Sequence, residues 1–137
     1  MVDRELVLRK LAELELYLRQ VSEFRKITVE QYARDWKAQR IIERTLQMAI
    51  EVCADVANHV ISDRRLKIPS TYAEAFEILA QAELLDARLR TAMVRMTGFR
   101  NVLVHEYASV DPEIVVGILR DHLVDLQRYA AAAAKWV

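Results

Sequence analysis

The stretch Arg100-Asn101-Val102-Leu103-Val104-His105-Glu106-Tyr107 gathers side chains able to work on a phosphodiester. Arginine is a planar, permanently charged fork that fits phosphate oxygens. Histidine accepts or donates a proton near neutral pH. Together they are a minimal kit for breaking an RNA strand with the RNA's own 2′-hydroxyl and no metal. In that chemistry His105 moves the proton and Arg100 holds the scissile phosphate. Asn101 positions the histidine or the phosphate through its amide, and Tyr107 lines the cleft. The products would carry a 2′,3′-cyclic phosphate and a 5′-hydroxyl.

Helical geometry limits what one chain can do with these groups. At about 100° per residue, Arg100 and Tyr107 share one face, Asn101 and His105 share another, and Arg100 and His105 stand about 140° apart. A single ideal helix therefore does not bring arginine and histidine onto one phosphate. Either the helix ends near His105 and frees the backbone, or a second copy presents its own motif across a two-fold axis. Each residue also has a plainer reading. Arg100 is then a surface arginine, His105 a cap on helix carbonyls, Asn101 a solvated polar group, and Tyr107 the continuation of an apolar stripe from Leu103.

The elements that must position the motif follow from hydrophobic spacing. Val7, Leu11, Leu14, Leu18 and Val21 recur at three- and four-residue steps and predict a first helix over about residues 3–26. Thr28 offers a cap, and the stripe Ile42, Leu46, Ala49, Ile50, Cys53, Val56, Val60 predicts a second helix over about residues 29–62. Such a helix would be about 50 Å long, more than a compact bundle of this size needs, so it must kink or project. After a turn holding Arg64, Arg65 and Lys67, Thr71-x-x-Glu74 reads as a capping box opening a short third helix. Leu85, Leu89, Ala92, Met96, Phe99 and Leu103 define a fourth helix that carries the motif. Asp111-Pro112 starts a fifth, running to near the end. The expected fold is all-α, an up-and-down bundle of about five helices forming one domain over residues 1–137.

The motif and its surroundings resemble the HEPN superfamily, and within it the HepT-like toxins of the MntA–HepT toxin–antitoxin systems. The resemblance rests on Arg-x4-His-x-Tyr embedded in Phe99-Arg100-Asn101, on residues 43–51, and on residues 69–76. It therefore spans roughly residues 43–107. It implies a HEPN-like bundle that dimerises with two motifs facing one cleft, and a metal-independent endoribonuclease toxin of a type VII pair. Arg100 and His105 are then catalytic, with Asn101 and Tyr107 supporting. The substrate would be tRNA or mRNA. The partner would be an MntA-like nucleotidyltransferase antitoxin that transfers AMP groups to Tyr107, placing negative charge in the cleft. Two other readings stay open: a non-catalytic HEPN-type module that binds a nucleotidyltransferase or nucleotide, and a plain dimerisation bundle.

Composition bounds these readings. Twenty basic residues balance twenty acidic ones, which argues against a protein that coats nucleic acid non-specifically. A local basic stretch survives, since Arg88, Arg90, Arg95 and Arg100 face only Glu106 between residues 88 and 107. A solvated face explains that stretch equally well. The single cysteine, Cys53, excludes an internal disulfide, suits the cytoplasm, and sits on the apolar stripe as a core residue. No apolar run approaches a membrane span, and the mixed charges of the first helix do not read as a signal peptide.

No metal or dissociable cofactor is implied, because Glu-x-x-His, His-Glu-x-x-His, a phosphate loop and Gly-x-Gly-x-x-Gly are all missing from the chain. Glu51, Asp55, Asn58 and His59 form a polar line on the second helix that could face the cleft and orient His105, or simply be solvated. His122, among Ile118, Leu119 and Leu126, reads as a core or interface histidine.

Overall fold

The computed structural model describes residues 3–105 and 110–137; Glu106 and Tyr107 of the motif lie outside the described residues. Helix α1 (Arg4–Ser22) opens on Asp3, whose carboxylate accepts from the Leu6 amide at 3.0 Å. It buries Val7, Leu14, Leu18 and Val21. Thr28 then opens α2 (Val29–Arg34) with a reciprocal capping box. The Thr28 hydroxyl accepts from the Gln31 amide at 3.1 Å, and the Gln31 side chain accepts from the Thr28 amide at 3.0 Å.

The long second helix expected from the sequence is divided at Asp35. This residue has extended backbone (φ −110°, ψ 91°), ends α2 and caps α3 (Trp36–Asp63). Its carboxylate accepts from the Lys37 and Ala38 amides at 3.1 and 3.0 Å. Two amides satisfied by one short side chain outweigh simple continuation of the helix. The break also turns Tyr32 into the core, where its hydroxyl donates to Glu43 at 2.5 Å. Helix α3 has 28 residues, a length of about 42 Å. Its whole expected stripe from Ile42 to Val60 is buried, Cys53 included.

Helix α4 (Tyr72–Gln81) begins at Thr71, which accepts from the Glu74 amide at 3.0 Å. The expected box is only half made, because the Glu74 carboxylate reaches Lys67 at 3.3 Å instead. Helix α5 (Ala87–His105) is capped by Asp86, which accepts from the Leu89 amide at 2.7 Å. It buries Leu89, Met93, Met96, Thr97 and Phe99. Asp111 caps α6 (Pro112–Gly117), with Pro112 in its first turn.

The expected fifth helix is likewise not one α-helix. Residues Ile118–His122 form a π turn before α7 (Leu123–Ala134). The wide turn resets the helical phase, so that Val115 and Val116 before it, Ile118 and Leu119 within it, and Leu123, Leu126, Tyr129 and Ala133 after it all face inward. Among the described residues the bundle thus has seven α-helices and no strand, where about five helices were expected.

The core is tied together where α3, α4 and α7 meet. The buried Tyr129 hydroxyl donates to the Cys53 carbonyl at 2.7 Å, which offsets the cost of burying it. Phe76 and Trp136 meet the Tyr129 ring edge-on, with centroids 5.5 and 5.7 Å away. Burial pushes the Cys53 thiol up, so it stays protonated and inert. Among the described residues no helix is long and apolar enough to cross a membrane.

Candidate active site on the motif helix

Arg100 projects from α5 toward α3 and α4, and its side chain is only 19% exposed. Its Nε and Nη2 both donate to Oε2 of Glu51, at 3.0 and 2.7 Å. Gln47, one turn earlier on α3, donates to the same oxygen at 3.4 Å. The guanidinium also lies over the Tyr72 ring, 4.9 Å from its centroid, a favourable cation–π distance. Nη1 donates to the Asn101 carboxamide oxygen at 3.3 Å. Three helices therefore aim one arginine. Helix α3 supplies the carboxylate, the Thr71 cap sets the ring at the first position of α4, and α5 supplies the fork.

That arrangement leaves the arginine able to bind an anion. A guanidinium has five N–H donors. The edge formed by Nε and Nη2 is engaged by Glu51 and Nη1 turns to the exposed Asn101, so the fork keeps N–H donors beyond those that Glu51 takes, and a phosphate can use them. Glu51 lowers the local positive charge without removing these remaining donors.

Of the residues expected at the site, the structure joins Arg100 to Asn101. His105 is the last residue of α5, exposed, and its ring makes no hydrogen bond among the described residues. Arg100 thus turns inward and His105 outward, and no hydrogen bond links them. Tyr107, expected both to line the cleft and to accept AMP, lies outside the described residues.

Two supporting groups were not legible as such. Glu51 stood only in a polar line; the structure makes it the Arg100 partner, while Asp55 pairs with Lys10 at 3.5 Å and His59 is exposed. Tyr72 stood only within the resembling segment 69–76 and not as a site residue, because its role depends on where α4 crosses α5. Of the two readings of His122, core or interface, the structure removes the core one. The π turn carries it to the surface with Arg120 and Asp121, and its Nδ1 lies 3.1 Å from Asp125. Nearby, the Arg120 hydrogen bond at 3.1 Å holds the Asp121 carboxyl below its usual range.

A groove of about 660 Å³ separates α5 from α6 and α7. Its lining includes the apolar Met96, Phe99 and Ile118, with Arg88 and Arg95 from α5 and Asp121 and Asp125 from the other side. Among the described residues no group of three or more His, Cys, Asp or Glu side chains is placed to hold a metal ion.

Known proteins carry the same architecture. The chain superposes with a TM-score of 0.85 and 28% identity on the tri-AMPylated Shewanella oneidensis HEPN toxin, solved in complex with an MNT antitoxin; the match covers 96% of this chain and 97% of that one. The fold is thus that of the HEPN proteins. The chain is also 33% identical over 99 residues to the mRNA nuclease HepT of Shewanella oneidensis, covering 72% of this chain and 74% of that protein. It is 32% identical over 99 residues to the tRNA nuclease HepT of Aphanizomenon flos-aquae, covering 72% and 67%. The Ribonuclease HepT-like family pattern matches residues 14–133, and the chain belongs to that family.

Proposed function

We propose that this chain is a metal-independent endoribonuclease toxin that works as a homodimer and is silenced by a nucleotidyltransferase antitoxin. The observation that carries the reading is the held arginine. Arg100 is part-buried, fixed by Glu51 and Tyr72, and sits five residues before an exposed His105, the last described residue of the same helix. Family membership and the nuclease relatives support it.

In the reaction, the 2′-oxygen attacks the neighbouring phosphorus as its proton passes to the His105 imidazole. Arg100 neutralises the charge that grows on the phosphoryl oxygens. The bond from phosphorus to the 5′-oxygen breaks, and that oxygen takes a proton from the His105 imidazolium of the second copy. The products are a 2′,3′-cyclic phosphate and a 5′-hydroxyl. A second copy is required because Arg100 and His105 diverge on one helix. The groove beside α5 suits that copy. Its apolar floor lies between arginines and aspartates, so a two-fold axis pairs unlike charges. Tyr107 is the proposed AMP acceptor, and MntA-like antitoxin partners in the related complexes support that assignment.

The internal pairing of Arg100 with Glu51 also favours a second reading, a non-catalytic HEPN-type module whose arginine is structural. One experiment separates them. Unmodified protein, checked by intact mass, is incubated with end-labelled tRNA and mRNA in EDTA beside His105→Ala. Cutting by the wild type alone, leaving cyclic-phosphate ends, is expected. Ends bearing a 3′-hydroxyl, or equal cutting by both proteins, would sink the mechanism. Co-expression with the transferase should add whole AMP units to the wild type and none to Tyr107→Phe.

A further inference from the structure

The turn between α3 and α4 carries charge that the proposed chemistry does not use, and it leads straight into the site. It runs from Arg64 to Thr71, and the next residue, Tyr72, is the ring beneath Arg100. Arg64, Arg65 and Lys67 are all exposed, and no acidic residue occurs from 64 to 73. Between Lys67 and Pro69, Ile68 is 86% exposed, the most exposed large apolar side chain among the described residues.

These cations differ in how firmly the fold engages them. Arg64 donates to the Trp136 carbonyl at 3.5 Å, which ties it to the chain's end. Lys67 lies 3.3 Å from Glu74, but its side chain is 77% exposed, and a pair so wet yields readily to another anion. Arg65 has φ 55°, in the left-handed region. The Leu66 amide bonds the Ile61 carbonyl at 3.0 Å and the Arg65 amide bonds the Ser62 carbonyl at 3.2 Å. That is a helix-ending motif in which glycine is the unstrained choice. Glu83 makes the same turn after α4 with φ 63°, so the backbone alone says nothing about function. What sets Arg65 apart is its charge and its place in the turn that leads to Tyr72.

We propose that this turn is a second phosphate-contact site for single-stranded RNA. Arg65 and Lys67 grip the backbone on one side of the scissile phosphate, and Ile68 offers an apolar seat for an unstacked base. The inference rests on the ribonuclease reading and adds to it where the strand runs. Lys67 and Tyr72 are five positions apart, at most about 18 Å of chain. A strand leaving Arg100 in this direction therefore meets the turn within a few nucleotides. On a chain of zero net charge, such local cations must supply the attraction that a diffuse positive field would otherwise give.

The test exploits the left-handed residue. Arg65→Gly removes a charge while relieving strain, so a lost function cannot be blamed on a lost fold. A labelled single-stranded RNA is titrated across a salt series against His105→Ala protein, which leaves the RNA intact, and against the same protein with Arg65→Gly and Lys67→Ala added. Each single-strand phosphate contact contributes a log–log salt slope of about 0.7, which is about fivefold in affinity between 1 M and 0.1 M salt. Removing two contacts should weaken binding about 25-fold at 0.1 M and lower the slope by about 1.4. Arg65→Gly alone should melt at the same temperature as its parent or higher. Arg25→Ala with Lys26→Ala, the same loss of two charges in the turn after α1, should alter neither affinity nor slope.

Unchanged affinity and slope in the turn variant would overturn the proposal. So would variants that keep RNA binding but no longer capture the transferase partner, which would make the turn a protein-docking surface. Wild-type protein that neither binds nor cuts RNA would instead sink the ribonuclease reading. An effect confined to the turn variants supports the proposal and leaves cleavage standing.

Discussion

Replacing Glu51 with alanine removes the group that aims Arg100, and its effect can be worked from the geometry. The carboxylate accepts two charge-assisted hydrogen bonds, at 3.0 and 2.7 Å, and the two side chains are 19% and 27% exposed. Its loss strands a guanidinium that is four-fifths buried, at a cost of about 2–3 kcal/mol. Unfolding entropy of about 2.1 cal/mol/K per residue gives this 137-residue chain roughly 0.29 kcal/mol/K. The melting temperature should therefore fall by about 7–10 °C. Glu51→Gln keeps an acceptor oxygen in place and should recover more than half of that.

On activity, a fork free to swing no longer waits where the phosphate arrives, and kcat should drop on the order of 100-fold. The glutamine variant should stay within about tenfold of wild type, since it restores the aim without the charge. The stability arm is read by thermal unfolding in a double-mutant cycle with Arg100→Ala, and the activity arm by single-turnover cleavage. Additivity of the two alanine variants within about 0.5 kcal/mol would show that the pair is not coupled. Glu51→Ala cutting RNA at the wild-type rate or faster would mean that the carboxylate does not position the arginine for catalysis.

Two further outcomes follow from the groove and the core. Arg95→Glu should shift the protein toward monomer in analytical ultracentrifugation, and Asp121→Arg added to it should restore the dimer; a dimer indifferent to both would remove this groove as the interface. The buried Tyr32 and Tyr129 hydroxyls have their pKa values raised chiefly by burial. Their contribution to stability is thus complete below the ordinary tyrosine value of about 10 and is lost as pH climbs above it. Phenolate absorbance from these two rings should appear together with loss of helical ellipticity; phenolate formation in a fully helical protein would refute the account.

How much was legible in advance depended on the range of the interaction. Apolar stripes are local, and the one from Ile42 to Val60 is buried as its spacing requires. The caps at Thr28 and Asp111 are also local and are present. The break at Asp35 was missed because a helical stripe on either side hid a residue whose side chain prefers to cap. The π turn left no local sign, since it exists to reconcile the phases of two helix segments that pack in different places. The same distinction divides the site. Arg100, Asn101 and His105 announced themselves as a motif. Glu51 and Tyr72, 49 and 28 positions away from Arg100, become its partners only through the crossing of α3, α4 and α5.

On the proposed reading, low net charge is what makes a covalent off-switch effective. A nuclease with a large positive surplus would hold RNA through many contacts, and one added anion would change little. Here several cations are matched within the fold: Lys10 with Asp55, Arg90 with Glu77, Lys67 with Glu74, and Arg100 with Glu51. The remaining donors of Arg100 are then among the groups able to hold a scissile phosphate. An AMP group on Tyr107 brings a phosphodiester of the same charge and geometry as the substrate's own. It would compete for those donors at an effective concentration no free RNA can match. Glu51 sharpens this competition, because it leaves Arg100 room for one further anion rather than two. The same carboxylate that aims the arginine for cleavage therefore makes it easy to silence. Glu51→Gln protein should accordingly retain more RNA affinity after AMP transfer than the wild type does. Equal residual affinity of the two modified proteins would show that the carboxylate has no part in the switch.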